Sequence, residues 1–162
     1  MDVLDAYRHC EHIMRAQARN FSYGIRLLPP PKRRALSAVY AFARRVDDIG
    51  DGPLPAAEKL TRLEEARKAI RDPGAHGDDP VLVALADTAR RFPVHLDVFE
   101  ELIDGCEADV RATTYATFDE LVDYCRRVAG SIGRLSLGVF GADDPGAAAP
   151  LADALGVALQ LT

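Results

Sequence analysis

The chain has 162 residues, a formal net charge of −5 and a sequence pI near 5.3, with 48% apolar and 28% charged residues. That length fits one domain, burying roughly 70% of its unfolded surface, and the composition excludes disordered and collagen-like chains. Mild acidity gives no global field for nucleic acid, so no nucleic-acid partner is expected. Three cysteines, Cys10, Cys106 and Cys125, are too few and too scattered for a disulfide framework or a zinc site, and an odd count fits a reducing compartment. Met1 to Asn20 is charged and polar throughout, unlike a signal peptide, and no run approaches the roughly 20 apolar residues of a membrane span. The expected location is the cytoplasm, with peripheral membrane contact left open.

Nearly every segment reads at a helical period, and none shows sustained strand alternation. The predicted fold class is therefore all-α. An amphipathic stretch, Asp2 to Ala18, is followed by a connector, Asn20 to Pro30, that closes on Pro29-Pro30-Pro31. A helix runs from about Pro31 to Asp51, with proline near its first turn and Gly52-Pro53 at its end. A charged helix covers about Pro55 to Arg71, and a polar loop covers Asp72 to Asp79. Further helices span about Pro80 to Arg91 and Pro93 to Arg111. A long helix is predicted over Thr117 to Phe140, opened by a Thr117/Glu120 capping box. The last begins at Asp144-Pro145 and continues to Thr162.

The segment Pro31 to Asp51 carries the first sign of chemistry. At about 100° per residue, Leu36, Tyr40, Ala43, Asp47 and Asp51 fall in one arc of about 80°. Arg44 sits beside that arc, Asp48 at its edge, and Arg45 points away. Two carboxylates one turn apart on a core-facing stripe need neutralising, because unpaired buried charge costs several kcal/mol. Mg²⁺, a hard cation that prefers carboxylate oxygens and shares itself with phosphates, is one candidate. An ion pair with Arg44 or with an arginine of another helix is the other. In the long helix, Leu121, Tyr124, Val128, Ile132 and Leu135 share a face, which turns the Tyr124 hydroxyl inward toward some partner. Gly130 and Gly133 sit mid-helix at a cost of about 1 kcal/mol each relative to alanine, a pattern of close helix approach or of a bend beside a cavity.

Five pieces in order, NFSYGIRLLPPPKRRAL, VYAFARRVDDIGDGP, LIDGCEADVRATTYATFDEL, YCRRVAGSIGRL and LGVALQLT, together resemble the squalene/phytoene synthase family from about Asn20 to Thr162. Bacterial presqualene diphosphate synthases of hopanoid biosynthesis are the most similar in this reading, with phytoene synthases next. The resemblance implies a terpenoid synthase fold, a helical bundle around a central cavity. It also implies Mg²⁺-dependent head-to-head condensation of two prenyl diphosphates, farnesyl or geranylgeranyl. Asp47, Asp48 and Asp51 match the metal-binding motif. Arg44 matches a basic residue near diphosphate, and Tyr124 the active-site tyrosine. Phe21, Ser22 and Tyr23 match a substrate-lining segment. Gly130 and Gly133 match the small-residue pattern of the tyrosine helix, and Gln160 matches the glutamine that opens the second aspartate signature. Tyr40 and Val128 are counted with the substrate-lining set, and Asp109 matches an acidic position.

Family members are nearly twice as long, and their second aspartate-rich motif follows the segment matching LGVALQLT. The expectation is a single domain over residues 1–162, the N-terminal portion of a longer synthase, with little turnover alone and an exposed half-cavity prone to self-association. A non-catalytic helical module that keeps the fold for binding or assembly is the competing reading.

Overall fold

A computed structural model of the chain describes residues 1–141, 146–150, 153 and 154; for residues 19–21 it describes the backbone alone. The described residues form helices and short turns, with no strand among them, as the hydrophobic periodicity predicts. The elements are α1 (Val3–Gln17), α2 (Arg19–Ile25), α3 (Pro30–Asp51), α4 (Ala56–Arg71), α5 (Pro80–Arg91), α6 (Val98–Val110), α7 (Phe118–Cys125) and α8 (Ser131–Phe140). A short 3₁₀ turn at Pro73–Ala75 precedes α5, and a π-helical turn at Arg126–Gly130 joins α7 to α8.

Local chemistry accounts for most boundaries. The Asp2 carboxylate accepts from Leu4 N at the start of α1, and Asp79 accepts from Val81 N and Leu82 N at the start of α5. Pro30 occupies the first turn of α3, where a missing N–H costs nothing. Gly52 ends α3, and a Cβ there would stand 2.8 Å from the Asp48 carbonyl oxygen. The predicted capping box is present: Glu120 N donates to Thr117 Oγ1, and the Glu120 carboxylate receives Thr117 N.

Three expectations need correction. The connector after α1 contains a short helix, α2. The helix expected from Pro93 starts at Val98, because residues 92–97 pass through extended backbone and a turn first. The helix expected to run unbroken from Thr117 to Phe140 is interrupted by the π turn, where Ser131 N bonds Arg126 O. That extra residue resets the helical face. Cys125, Gly130, Ser131, Leu135 and Val139 are the buried positions, whereas Leu121, Tyr124, Val128 and Ile132 are only half-buried. Most of the last predicted helix lies outside the described residues; residues 146–150, 153 and 154 are helical.

Helix α3 is central. It packs against α1, α4, α5, α6 and α8, and its alanine-rich surface lets those neighbours approach closely. Phe42 of α3 meets Phe99 of α6 edge to face, with ring centroids 4.8 Å apart. Arg67 fastens α4 to α6 through Asp104 (2.8 Å) and Glu107 (2.9 Å). A buried polar node joins α1 to α5. Tyr7 donates to Asp87 Oδ2 (2.9 Å), and the Thr88 hydroxyl lies 3.0 Å from the Tyr7 oxygen.

Burial pushes the Tyr7 phenol up to about 12. Burial alone would also raise the Asp87 carboxyl, but the Tyr7 hydroxyl, Arg90 and Arg91 outweigh it and hold the group below the usual carboxylate range. A depressed carboxyl stabilises the fold above its ordinary pKa, and that contribution is lost as pH falls through the lowered value. Tyr7→Phe is therefore expected to cost about 2 kcal/mol at neutral pH. The deficit shrinks below about pH 4, as urea denaturation across a pH series will show.

Candidate active site

Val46 is the last fully buried residue of α3; beyond it Ile49 is partly buried against the core and Gly50 approaches Cys106. Asp47, Asp48 and Asp51 stand on this last turn with their side chains largely exposed. The sequence expectation that Asp47 and Asp51 face the core is corrected here. The wheel gives direction around the axis, not where along the axis the packing stops. Arg44 takes Asp48 as its partner, with Nε 3.0 Å from Asp48 Oδ1. The contact lacks hydrogen-bond alignment, which leaves this buried Nε without a hydrogen bond among the described residues. Arg45 points away from the aspartates, as predicted, and grips Asp79 through two nitrogens at 2.7 and 3.0 Å. Arg44 and Asp48 line a groove of about 370 Å³ that also includes Gln17 and Arg62.

Neither Asp47 nor Asp51 makes an ion pair or hydrogen bond among the described residues. Partial burial, then the charge of Asp51, raises the Asp47 carboxyl above its ordinary value, and Arg44 only partly counters this. Two like charges one turn apart without a protein cation form a hard-oxygen donor set. Among the described residues no group of three His, Cys, Asp or Glu closes on one metal point. The pair therefore fits a cation that completes its shell with water and phosphate oxygens, as Mg²⁺ does.

The second half of the site comes from α6 and α7. A Cβ placed on Gly50 would lie 3.8 Å from Cys106 Cβ, so α3 and α6 touch there. Asp47, Asp109 and Asp51 all act electrostatically on the Cys106 thiol, and burial pushes that thiol up to about 12. Asp109, one turn beyond Cys106, receives the Tyr124 hydroxyl, which lies 2.7 Å from both carboxylate oxygens. Burial and this hydrogen bond to Asp109 hold the Tyr124 phenol well above its ordinary range, so it stays protonated at neutral pH. Val128 packs over Gly105, where a Cβ would stand 2.5 Å from Val128 Cγ2.

The sequence reading did not single out Tyr115. Its ring lies 5.2 Å from that of Tyr124, and burial, then the charge of Asp109, raises its phenol. The signal for it was a tyrosine two residues before the capping threonine, where the turn must fold back toward α7.

The remaining predicted residues distribute as follows. Tyr40 is half-buried against the core. Gly130 is buried beside Asp153, whose Oδ1 would stand 2.5 Å from a Cβ there. Ser22 is buried in a separate pocket with Arg15, Arg26 and Arg33, whose walls include neither Asp47 nor Tyr124. Tyr23 is exposed under Arg26. The Phe21 side chain and Gln160 lie outside the described residues.

This is the all-α architecture of isoprenoid synthases, with an acidic helix end beside a tyrosine–aspartate pair. The sequence matches the squalene/phytoene synthase model over residues 14–162, and the chain belongs to that family. It is 53% identical over 161 residues to a phytoene synthase of Mycobacterium tuberculosis, covering 99% of this chain and 53% of that protein. A phytoene synthase of Arthrospira platensis is 38% identical, covering 98% of this chain and 55% of the relative. Among solved structures, a dehydrosqualene synthase superposes with a TM-score of 0.86 at 29% identity, covering 98% of this chain and 55% of that one. Squalene synthase HpnC from Alicyclobacillus acidocaldarius gives 0.85 at 33% identity, with 98% and 60% covered. The chain thus spans about half the length of the curated relatives it matches.

The like-charge pair on α3 predicts a cation response that needs no substrate. Mg²⁺ is expected to raise the melting temperature of the chain. Asp47→Asn or Asp51→Asn is expected to weaken that response by about tenfold or more in Mg²⁺ concentration, since divalent affinity follows ligand charge count. Asp47→Asn also removes a charge that the fold disfavours, so without Mg²⁺ it melts no lower than wild type. Scanning calorimetry with and without Mg²⁺ checks both outcomes.

Proposed function

We propose that this chain supplies the first diphosphate-binding half of a head-to-head prenyltransferase, joining two prenyl diphosphates. One observation carries the reading. The unpaired Asp47–Asp51 set and the Asp109–Tyr124 pair come to the same end of the bundle, where α3 touches α6.

Asp47 and Asp51, with Asp48 beside them, would hold Mg²⁺, which when bound supplies positive charge for a departing diphosphate. Arg44, half-exposed beside Asp48, adds a fixed positive charge on the same helix end. Tyr124 keeps its proton, so it serves as an oriented dipole and an aromatic face for a nearby cation. Asp109 is the basic member of the pair and is the group that would take up a proton released beside it. The Tyr115 ring against Tyr124 limits the space for water on that side.

For the substrate, we favour geranylgeranyl diphosphate and a phytoene-type product, on the strength of the 53% identity to relatives named phytoene synthase. Farnesyl diphosphate is the second reading, supported by the likeness to squalene synthase HpnC. We also propose that the 162 residues alone turn over little substrate, since they bring one aspartate motif where the family resemblance implies two.

The test is product analysis by a full-length protein carrying this segment, offered each diphosphate with Mg²⁺. Asp51→Asn is expected to cut kcat by about 10³-fold and Tyr124→Phe by about 10²-fold. Unchanged rates in both variants would overturn the site, and robust turnover by the 162-residue chain would overturn its inactivity. A full-length protein that folds, binds Mg²⁺ and makes no product from either substrate would favour the non-catalytic module.

A further inference from the structure

Helix α3 ends against its own dipole. The carbonyl end of a helix carries partial negative charge and is stabilised by cations. The last turn of α3 instead holds Asp48 and Asp51, with Asp47 just before them, and no basic residue. Asp47 and Asp51 are also a like-charge i,i+4 pair, which opposes helix formation further. Local closure is missing too. Helices α1, α5, α6 and α8 each finish with a backbone N–H, from Ala18, Phe92, Arg111 and Gly141, that returns to a carbonyl of the last turn. At α3 the capping Gly52 is extended, and its N–H makes no such bond among the described residues.

Closure comes from the next helix. The Lys59 ammonium, in the opening turn of α4, donates to the Gly50 carbonyl at 2.7 Å. That bond satisfies one of the four carbonyls a helix end leaves open, and its charge makes it stronger than a neutral one. Lys59 gains nothing from its own helix, whose opening turn favours anions. The connector between α3 and α4, Gly52-Pro53-Leu54-Pro55, contains two prolines, so the bond has little slack. Gly50 is also where α3 approaches Cys106 of α6, so the bonded carbonyl sits at the crossing that carries the aspartates. Among the described residues Lys59 forms no ion pair with Asp47, Asp48 or Asp51, and it is not among the charges that act on the Asp47 carboxyl.

We infer that Lys59 is a positioning residue for the proposed cation site: its ammonium holds the last turn of α3 helical through the Gly50 carbonyl, and so keeps the Asp47 and Asp51 carboxylates one turn apart before a cation arrives. The inference rests on the proposed function for the identity of the site and adds to it a residue from a different helix. Lys59 acts through the backbone and touches neither substrate nor cation. Without it, cation binding must also order the turn, which weakens the binding. A lysine that acted only through its charge would do the opposite. A positive charge near the aspartates disfavours Mg²⁺, so its removal would tighten binding.

Hydrogen exchange and Mg²⁺ titration of the chain separate the two. Lys59→Met keeps an unbranched stem and removes the donor. Without Mg²⁺, the amides of residues 48–51 are expected to exchange about tenfold faster in this variant, while those of the buried Leu63 and Ile70 of α4 keep their wild-type rates. Half-maximal thermal stabilisation by Mg²⁺ is expected at about fivefold higher concentration. Lys59→Arg keeps a charged donor and restores both readouts to within about twofold. Lys68→Met makes the same charge change at an exposed position of α4 and alters neither. Unchanged exchange at residues 48–51 would overturn the inference, as would Mg²⁺ binding that Lys59→Met leaves unchanged or tightens. So would an equal effect of Lys68→Met, or faster exchange throughout α4, which would give Lys59 to the fold as a whole. If the wild-type chain shows no response to Mg²⁺, the proposed function fails, while faster exchange confined to residues 48–51 in Lys59→Met still upholds the hold on the helix end.

Discussion

The contact between α3 and α6 sets the site, because two points along it fix both direction and register. Phe42 meets Phe99, and Gly50 approaches Cys106. The first contact is about 12 Å from the second along α3 and about 10.5 Å along α6. The two helices therefore run in the same sense and arrive together. Whatever follows Gly50 on one and Cys106 on the other must emerge at the same end. Those residues are Asp51 and Asp109, with Asp47 one turn before Asp51. The aromatic pair thus does more than fill the core, since any slip between the two rings would move the aspartates of the two helices apart. The small Gly50 contact serves the same end, because it lets the backbones close before the chain leaves the core.

The π turn after α7 is the second constraint. It lies between Tyr124, which must reach Asp109, and α8, which must bury Leu135 and Val139. A regular helix has one angular register, and the observed burial pattern needs two. Inserting one residue in an i→i+5 turn supplies the change. Val128, inside the turn, then packs over Gly105 at a distance that no larger residue on α6 would allow.

Much of this was legible in the sequence, and the failures have physical causes. Helix α3 was read closely because proline at its start and Gly52-Pro53 at its end leave little freedom, and its alanines carry a clean period. The Thr117/Glu120 box was read because capping is a local interaction between neighbours. The Asp47–Asp51 pair was found as a charge anomaly, but its burial was misjudged. Burial depends on where the partner helices stop, and one helix's pattern does not contain that. The partner of Tyr124 lies fifteen residues back across a turn, so helical spacing could not name it. The π turn leaves no mark in composition, and α2 is too short, with Gly24 inside it, to announce itself by period.

The chain distributes its charge unevenly. At the acidic end of α3, Asp47 and Asp51 repel each other, and among the described residues no lysine or arginine forms an ion pair with either. Under the proposed function, a mobile cation or a cation-bearing ligand balances that charge. Elsewhere the chain neutralises its carboxylates readily: Arg67 reaches two acidic side chains of α6, and Arg90 and Arg91 both take Asp87. Arginines were thus available, and the same helix spends Arg44 on Asp48 and Arg45 on Asp79. Residues 12–46 reverse the imbalance, with eight lysines and arginines and no aspartate or glutamate, and Arg33, Arg44 and Arg45 take carboxylates from outside the stretch. An ordinary surface would intersperse the two signs to remain indifferent to its surroundings. Asp47 and Asp51 thus stand beside the α3–α6 contact with no described cation paired to them, and the proposed cation site rests on that feature.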